Sequence, residues 1–190
     1  MSEFETGVSG LSAADHGPDE GVADAGLESA DEPNIVTVHG EHGETIYAMD
    51  VDHDNVADAA AYDDDNDGVI DRVAIDTDHD GTLDTELRDL NGDGRFDAVF
   101  IDTDNDGDKD VAVLDTNHDG AFDRVVADTD NDGNIDTDVR DTNFDGRPDY
   151  VARDVDGDGK TDITVTDTDH DGHFDTVHYD DPKNDPLAQA

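Results

Sequence analysis

The chain has 190 residues, of which 55 are Asp or Glu and only ten are Lys or Arg, a formal net charge of −45. Self-repulsion on that scale opposes a compact state unless counter-ions neutralise it, and it disfavours nucleic acid and anionic membrane surfaces as partners. Apolar residues make up 33%, below the usual ~45–50%, and the absence of Cys excludes disulfides and thiolate metal sites. Such a composition ordinarily belongs to a disordered chain, and only strong internal order argues otherwise.

Residues 1–33 are rich in Gly, Ala and acid, without periodicity, and are expected to be disordered. They open Met1-Ser2-Glu3-Phe4-Glu5, which lacks the basic and apolar regions of a signal peptide. No apolar run approaches the ~18–20 residues of a membrane span. The expectation is a cytoplasmic protein, or one exported by a leaderless route, with no membrane insertion.

Residues 34–49 hold two β-prone stretches, Ile35-Val36-Thr37-Val38 and Thr45-Ile46-Tyr47-Ala48-Met49. They predict a hairpin cap or a degenerate first repeat, because a repeat array needs atypical ends to close its sheet edges. Between them His39 and His42 lack a softer partner for a transition metal, and that reading is set aside.

Strict order begins at Asp50. First aspartates recur at Asp50, Asp63, Asp76, Asp89, Asp102, Asp115, Asp128, Asp141, Asp154 and Asp167, always thirteen residues apart. Ten copies without insertion or deletion mean that the period itself is under geometric constraint. A disordered acidic tail needs no such register.

Position 3 carries Asp52, Asp65, Asp78, Asn91, Asp104, Asn117, Asp130, Asn143, Asp156 and Asp169. Position 5 carries Asp54, Asp67, Asp80, Asp93, Asp106, Asp119, Asp132, Asp145, Asp158 and Asp171. Position 9 carries Asp58, Asp71, Asp84, Asp97, Asp110, Asp123, Asp136, Asp149, Asp162 and Asp175. Position 6 is Gly in every copy except the first, where it is Asn55, so a positive φ is expected there.

Carboxylates at alternate positions repel one another unless a cation sits among them. Side-chain oxygens from positions 1, 3 and 5, a carbonyl near 7 and Gly at 6 match the opening of an EF-hand calcium loop. The EF-hand Glu at position 12 is missing, and Asp at position 9 is expected to close the site. Hard oxygen donors suit Ca²⁺ over zinc or copper, and Mg²⁺ seldom uses all-protein cages. Ten Ca²⁺, one per repeat, would carry the net charge from −45 to −25.

The motif, as in Asp102-Thr103-Asp104-Asn105-Asp106-Gly107-Asp108-Lys109-Asp110, resembles the calcium loops of integrin α-subunit propellers and thrombospondin type 3 repeats. Dockerins carry a related loop followed by a helix. The resemblance covers residues 50–175 and implies that positions 1, 3, 5 and 9 bind Ca²⁺. The chain departs from thrombospondin repeats in having no Cys, and from dockerins in having strands, so ligand roles transfer and biological role does not.

Positions 10–13 are short and β-prone, as in Arg72-Val73-Ala74-Ile75 and Ala98-Val99-Phe100-Ile101, and predict strands. A longer period overlies the first. Val73, Val99, Val125, Val151 and Val177 occupy position 11 in alternate copies, whereas Leu87, Val113, Val139 and Val165 occupy position 12 in the others. The unit is therefore 26 residues. The expected fold is all-β: a two-sheet β-solenoid, similar to the β-roll of calcium-dependent RTX proteins, with one valine column packed on the other. An antiparallel meander or a strandless calcium wire is the alternative. A one-layer meander would expose both faces and bury almost nothing.

His53, His79, His118 and His170 at position 4 read as solvated residues. Thr77, Thr103, Thr116, Thr129, Thr142 and Thr168 at position 2 read as local hydrogen-bond donors rather than an ice-matching ladder. At the C-terminal end Asp180-Asp181-Pro182 starts an eleventh copy, but Pro182 takes the position-3 site, and residues 180–190 are expected to be a tail.

No unique pocket, base or nucleophile stands apart from the repeats, so the chain reads as non-enzymatic. The expected function is a calcium-rigidified structural module: a spacer, adhesion or surface-assembly element that folds on binding about ten Ca²⁺. An intracellular calcium buffer or sensor is the rival, and a mineral-binding acidic protein a third class. The sequence leaves any protein partner or self-assembly unidentified.

Overall fold

The structure is a computed structural model that describes residues 34–40 and 43–180. The expectations for residues 1–33, His42 and Pro182 lie outside the described residues. Twelve strands follow in chain order: β1 Asn34–His39, β2 Thr45–Asp50, β3 Ala59–Asp63, β4 Arg72–Ile75, β5 Thr85–Arg88 and β6 Ala98–Ile101. The series continues with β7 Val111–Leu114, β8 Arg124–Ala127, β9 Thr137–Arg140, β10 Tyr150–Arg153, β11 Ile163–Thr166 and β12 Thr176–Tyr179. No helix among the described residues is long and apolar enough to cross a membrane.

All twelve strands lie in one sheet in sequence order. Each pairs antiparallel with its neighbours. The all-β expectation holds, but the architecture is the single-layer meander and not the two-sheet solenoid. The register gives the physical reason. Val73 pairs with Leu87, Leu87 with Val99, Val99 with Val113 and Val113 with Val125. Val125 pairs in turn with Val139, Val139 with Val151, Val151 with Val165 and Val165 with Val177.

The two valine columns are thus one row on one face. When direction reverses at every strand, position 11 of one strand lies opposite position 12 of the next. The 26-residue alternation is the antiparallel pair itself, and it keeps the apolar side chain on a constant face. β1 and β2 pair as a hairpin and extend the sheet at its N-terminal end.

A nine-residue loop and a four-residue strand make each repeat. The loop is closed by its own backbone: Asp97 N–H donates to the Arg88 carbonyl at 2.8 Å and Asp110 N–H to the Ile101 carbonyl at 2.9 Å. Reversal at every strand sends odd-numbered loops to one edge of the sheet and even-numbered loops to the other. Loops sharing an edge are stitched directly, as in Asp102 N–H to the Asp84 carbonyl at 2.9 Å and Asp115 N–H to the Asp97 carbonyl at 2.8 Å.

The single layer has almost no apolar interior. The buried hydrophobic residues among those described are Ala60, Ala74, Ala98 and Ala152. Fourteen aspartates are buried as deeply, and every one stands at loop position 1 or 9. The protein's interior is built of carboxylates at the two sheet edges, and the burial of charge there demands compensation.

Candidate metal centres

Each loop folds around its position-1 aspartate. Oδ2 of Asp102 accepts from Gly107 N–H at 3.0 Å, and the same bond recurs from Gly81 to Asp76, Gly120 to Asp115 and Gly133 to Asp128. Position 3 accepts from the position-5 N–H, as Asp104 does from Asp106 at 3.1 Å. Position 5 accepts from the position-7 N–H, as Asp106 does from Asp108 at 2.8 Å. Position 9 reaches back to the position-2 N–H, as Asp123 does to Thr116 at 2.9 Å.

These bonds need sharp backbone turns. Position 6 has φ of +99° at Gly107 and +73° at Asn55, as the residue types there require. A second left-handed residue sits at position 4, which sequence reading missed: φ is +62° at His79, +60° at Asn105, +59° at His118 and +60° at Phe144. The signal was present in composition, because Asn and His are enriched at positive φ.

The turns bring three carboxylates of one loop together. Oxygens of Asp50, Asp52 and Asp58 all lie within 4.8 Å of one another, as do those of Asp63, Asp65 and Asp71 and those of Asp76, Asp78 and Asp84. The same holds for Asp102, Asp104 and Asp110, for Asp128, Asp130 and Asp136, and for two further groups. Positions 1, 3 and 9 form the five named groups. In those loops the position-5 carboxylate is not a member, and it accepts from the loop backbone, as Asp80 does from Thr82 N–H at 2.8 Å.

The donor set fits a hard divalent cation. Oxygens bound to one Ca²⁺ at about 2.3–2.6 Å lie no more than ~5 Å apart, which matches the observed spacing. One oxygen of the set is also left without any partner. Oδ1 of Asp63, Asp102 and Asp167 is buried and accepts no hydrogen bond, although Oδ2 of each is bonded to a glycine N–H. A buried carboxylate oxygen without a partner is costly, and a cation is one group that can satisfy it.

Local donors already hold several carboxylates ionised. Asp110 is shifted down by the Thr103 hydroxyl and N–H. Burial pushes Asp84 up, but bonds from Thr85 and Thr77 outweigh it and the net shift is down. Asp130 moves the other way, raised by desolvation and by the charges of Asp132 and Asp128. All six position-2 threonines donate their hydroxyl to the position-9 carboxylate of their own loop, with Thr77 to Asp84 at 2.7 Å as one case. The local bond is there, and its acceptor is a side chain rather than the backbone.

The position-4 histidines are exposed, as expected. Two of them, and two position-4 asparagines, also reach the previous loop on the same edge. His118 Nδ1 lies 2.9 Å from Asp97 Oδ1, and His170 Nδ1 lies 3.3 Å from Asp149 Oδ2. Asn105 donates to Asp78 and Asp80 at 3.2 and 2.8 Å, and Asn131 to Asp104 at 2.6 Å. These side chains link loops while remaining exposed to solvent. His39 is taken up otherwise, with Nδ1 3.2 Å from Thr45 Oγ1.

The three asparagines replace a position-3 carboxylate on one edge only, in alternate loops. Asn117 and Asn143 donate to the position-5 carboxylates of Asp119 and Asp145 at 3.1 and 3.2 Å. Comparison with family models, with curated proteins and with solved structures finds no match to this chain.

Proposed function

We propose that the chain is a calcium-binding structural module whose single-layer sheet is held together along both edges by about one Ca²⁺ per thirteen-residue repeat. The observation that carries this reading is the convergence of positions 1, 3 and 9 with a buried, unbonded Oδ1 at Asp63, Asp102 and Asp167. Position 5 and the position-7 carbonyl complete the proposed ligand set, as the resemblance to integrin and thrombospondin loops implies. A sheet whose buried apolar residues are four alanines cannot rely on hydrophobic burial, and the edges must supply the missing stability. Such an object suits a spacer, an adhesion element or a surface-assembly element. Each of the five named carboxylate clusters belongs to a repeated loop, which supports a non-enzymatic role.

Isothermal titration tests the reading. About ten sites with Kd near ~10⁻⁴–10⁻³ M are expected for an extracellular structural module. Sites near ~10⁻⁷–10⁻⁵ M would point to an intracellular buffer or sensor instead. Absence of calcium binding would overturn both.

A further inference from the structure

We propose that the valine face of the sheet is the docking surface for a second copy of this chain, the two sheets packing face to face. The two faces of the sheet differ in kind. One carries all four buried alanines and covers itself with its own long side chains. On it the Arg72 guanidinium lies 3.7 Å from the Tyr62 ring centre, and those of Arg88 and Arg140 lie 5.1 Å from Phe100 and Tyr150. Arg124 and Arg140 both bind Asp138 there.

The opposite face has no such cover. From β4 to β12 its charged side chain is Arg153 alone, by the pairing register. None of the nine residues of its Val and Leu row is buried, and Val125 and Val177 are 37% and 52% exposed.

The occupant follows from size, charge and shape. The nine strands from β4 to β12, about 4.8 Å apart and ~14 Å long, give a footprint of roughly 600 Å² per copy. The total of ~1,200 Å² reaches the lower end of the range of stable interfaces, about 1,200–2,000 Å². A basic partner would select the acidic edges and leave this neutral face uncovered. A second copy matches the row in length, spacing and twist, and two such sheets stack about 10 Å apart with their acidic edges still in water. Repulsion between the facing edges opposes the dimer, so cations or salt must reduce it.

Sedimentation equilibrium of the full chain, at about 100 µM in 5 mM CaCl₂ and separately in 1 M NaCl, tests the proposal beside circular dichroism of the same samples. The expected result is a mass twice the 20.4 kDa of the chain in at least one medium. The combined Val99→Thr, Val113→Thr and Val139→Thr variant should weaken association at least tenfold while keeping the β signal. The matched Ala112→Thr, Leu114→Thr and Val126→Thr variant, on the other face, should still dimerise. A monomer in both media overturns the proposal, including the case in which residues 1–33 of the same chain take the face. Open-ended polymers, or a dimer indifferent to the valine changes, overturn it equally. A chain that folds with calcium yet stays monomeric refutes the docking and leaves the calcium reading standing.

Discussion

The His118 imidazole lies 2.9 Å from the carboxylate of Asp97, which belongs to the previous loop on its edge of the sheet. The contact holds Asp97 below the usual carboxylate range and raises the His118 imidazole above its ordinary value. The loop that ends at Asp97 is therefore partly assembled by the next one along its edge, through a residue that also has to adopt φ of +59°. Replacing His118 with Asn keeps both the left-handed propensity and a short polar reach, whereas Ala keeps neither. His118→Ala should cost about 1 kcal/mol more stability than His118→Asn, read by urea denaturation in calcium.

Gly107 isolates backbone strain from packing. Its φ is +99°, and a Cβ added there would meet nothing within 4 Å. Gly107→Ala should therefore destabilise by about 1–2 kcal/mol through conformation alone. Gly107→Asn should cost less, as the Asn55 found at the same position of the first loop indicates. Equal losses for the two variants in thermal melts would contradict the turn assignment.

Much of this was legible from residues alone. The thirteen-residue register, the positive φ at position 6 and the strands at positions 10–13 follow from residue types whose local preferences agree with the fold. The choice between solenoid and meander was not legible. Alternation of Val73 and Leu87 is consistent with two opposed sheets or with one face of an antiparallel sheet, and only strand pairing separates them. The cross-loop role of position 4 was hidden for the same reason, since His118 and Asp97 are 21 residues apart and meet through the meander.

Position 3 tests the metal centres one at a time. Asn117 donates to Asp119 at 3.1 Å, and Asp in its place would replace that bond with repulsion. Asn117→Asp should lower stability in chelator and tighten the site of its own loop in calcium, so its calcium midpoint falls. A loss under both conditions would show that position 3 does not face an ion. Asp119→Ala, which also frees the Ala121 N–H now held by the Asp119 carboxylate at 2.9 Å, should speed amide exchange across Asp115–Asp123 at limiting calcium.

Asp138 gives a pH dependence away from the loops. Burial raises its pKa, but the bonds from Arg140 and Arg124 lower it further, and the net shift is below the ordinary 3.8. A depressed folded-state value means that its contribution is complete above the unfolded value and is lost as pH falls through the folded one. Asp138→Asn should cost about 1–2 kcal/mol at pH 7. The gap between variant and parent should narrow as pH falls below about 4. A gap constant from pH 7 to pH 3 would refute the ionic role.

The central claim is that the carboxylate-lined edges, not an apolar core, hold the sheet, and that a divalent cation completes them. Far-ultraviolet circular dichroism of the full chain, first in EGTA and then in excess Ca²⁺, tests it most directly. An expanded chain with little β signal is expected in EGTA, with a cooperative gain of β signal as calcium is added. An identical β spectrum in both conditions would contradict it.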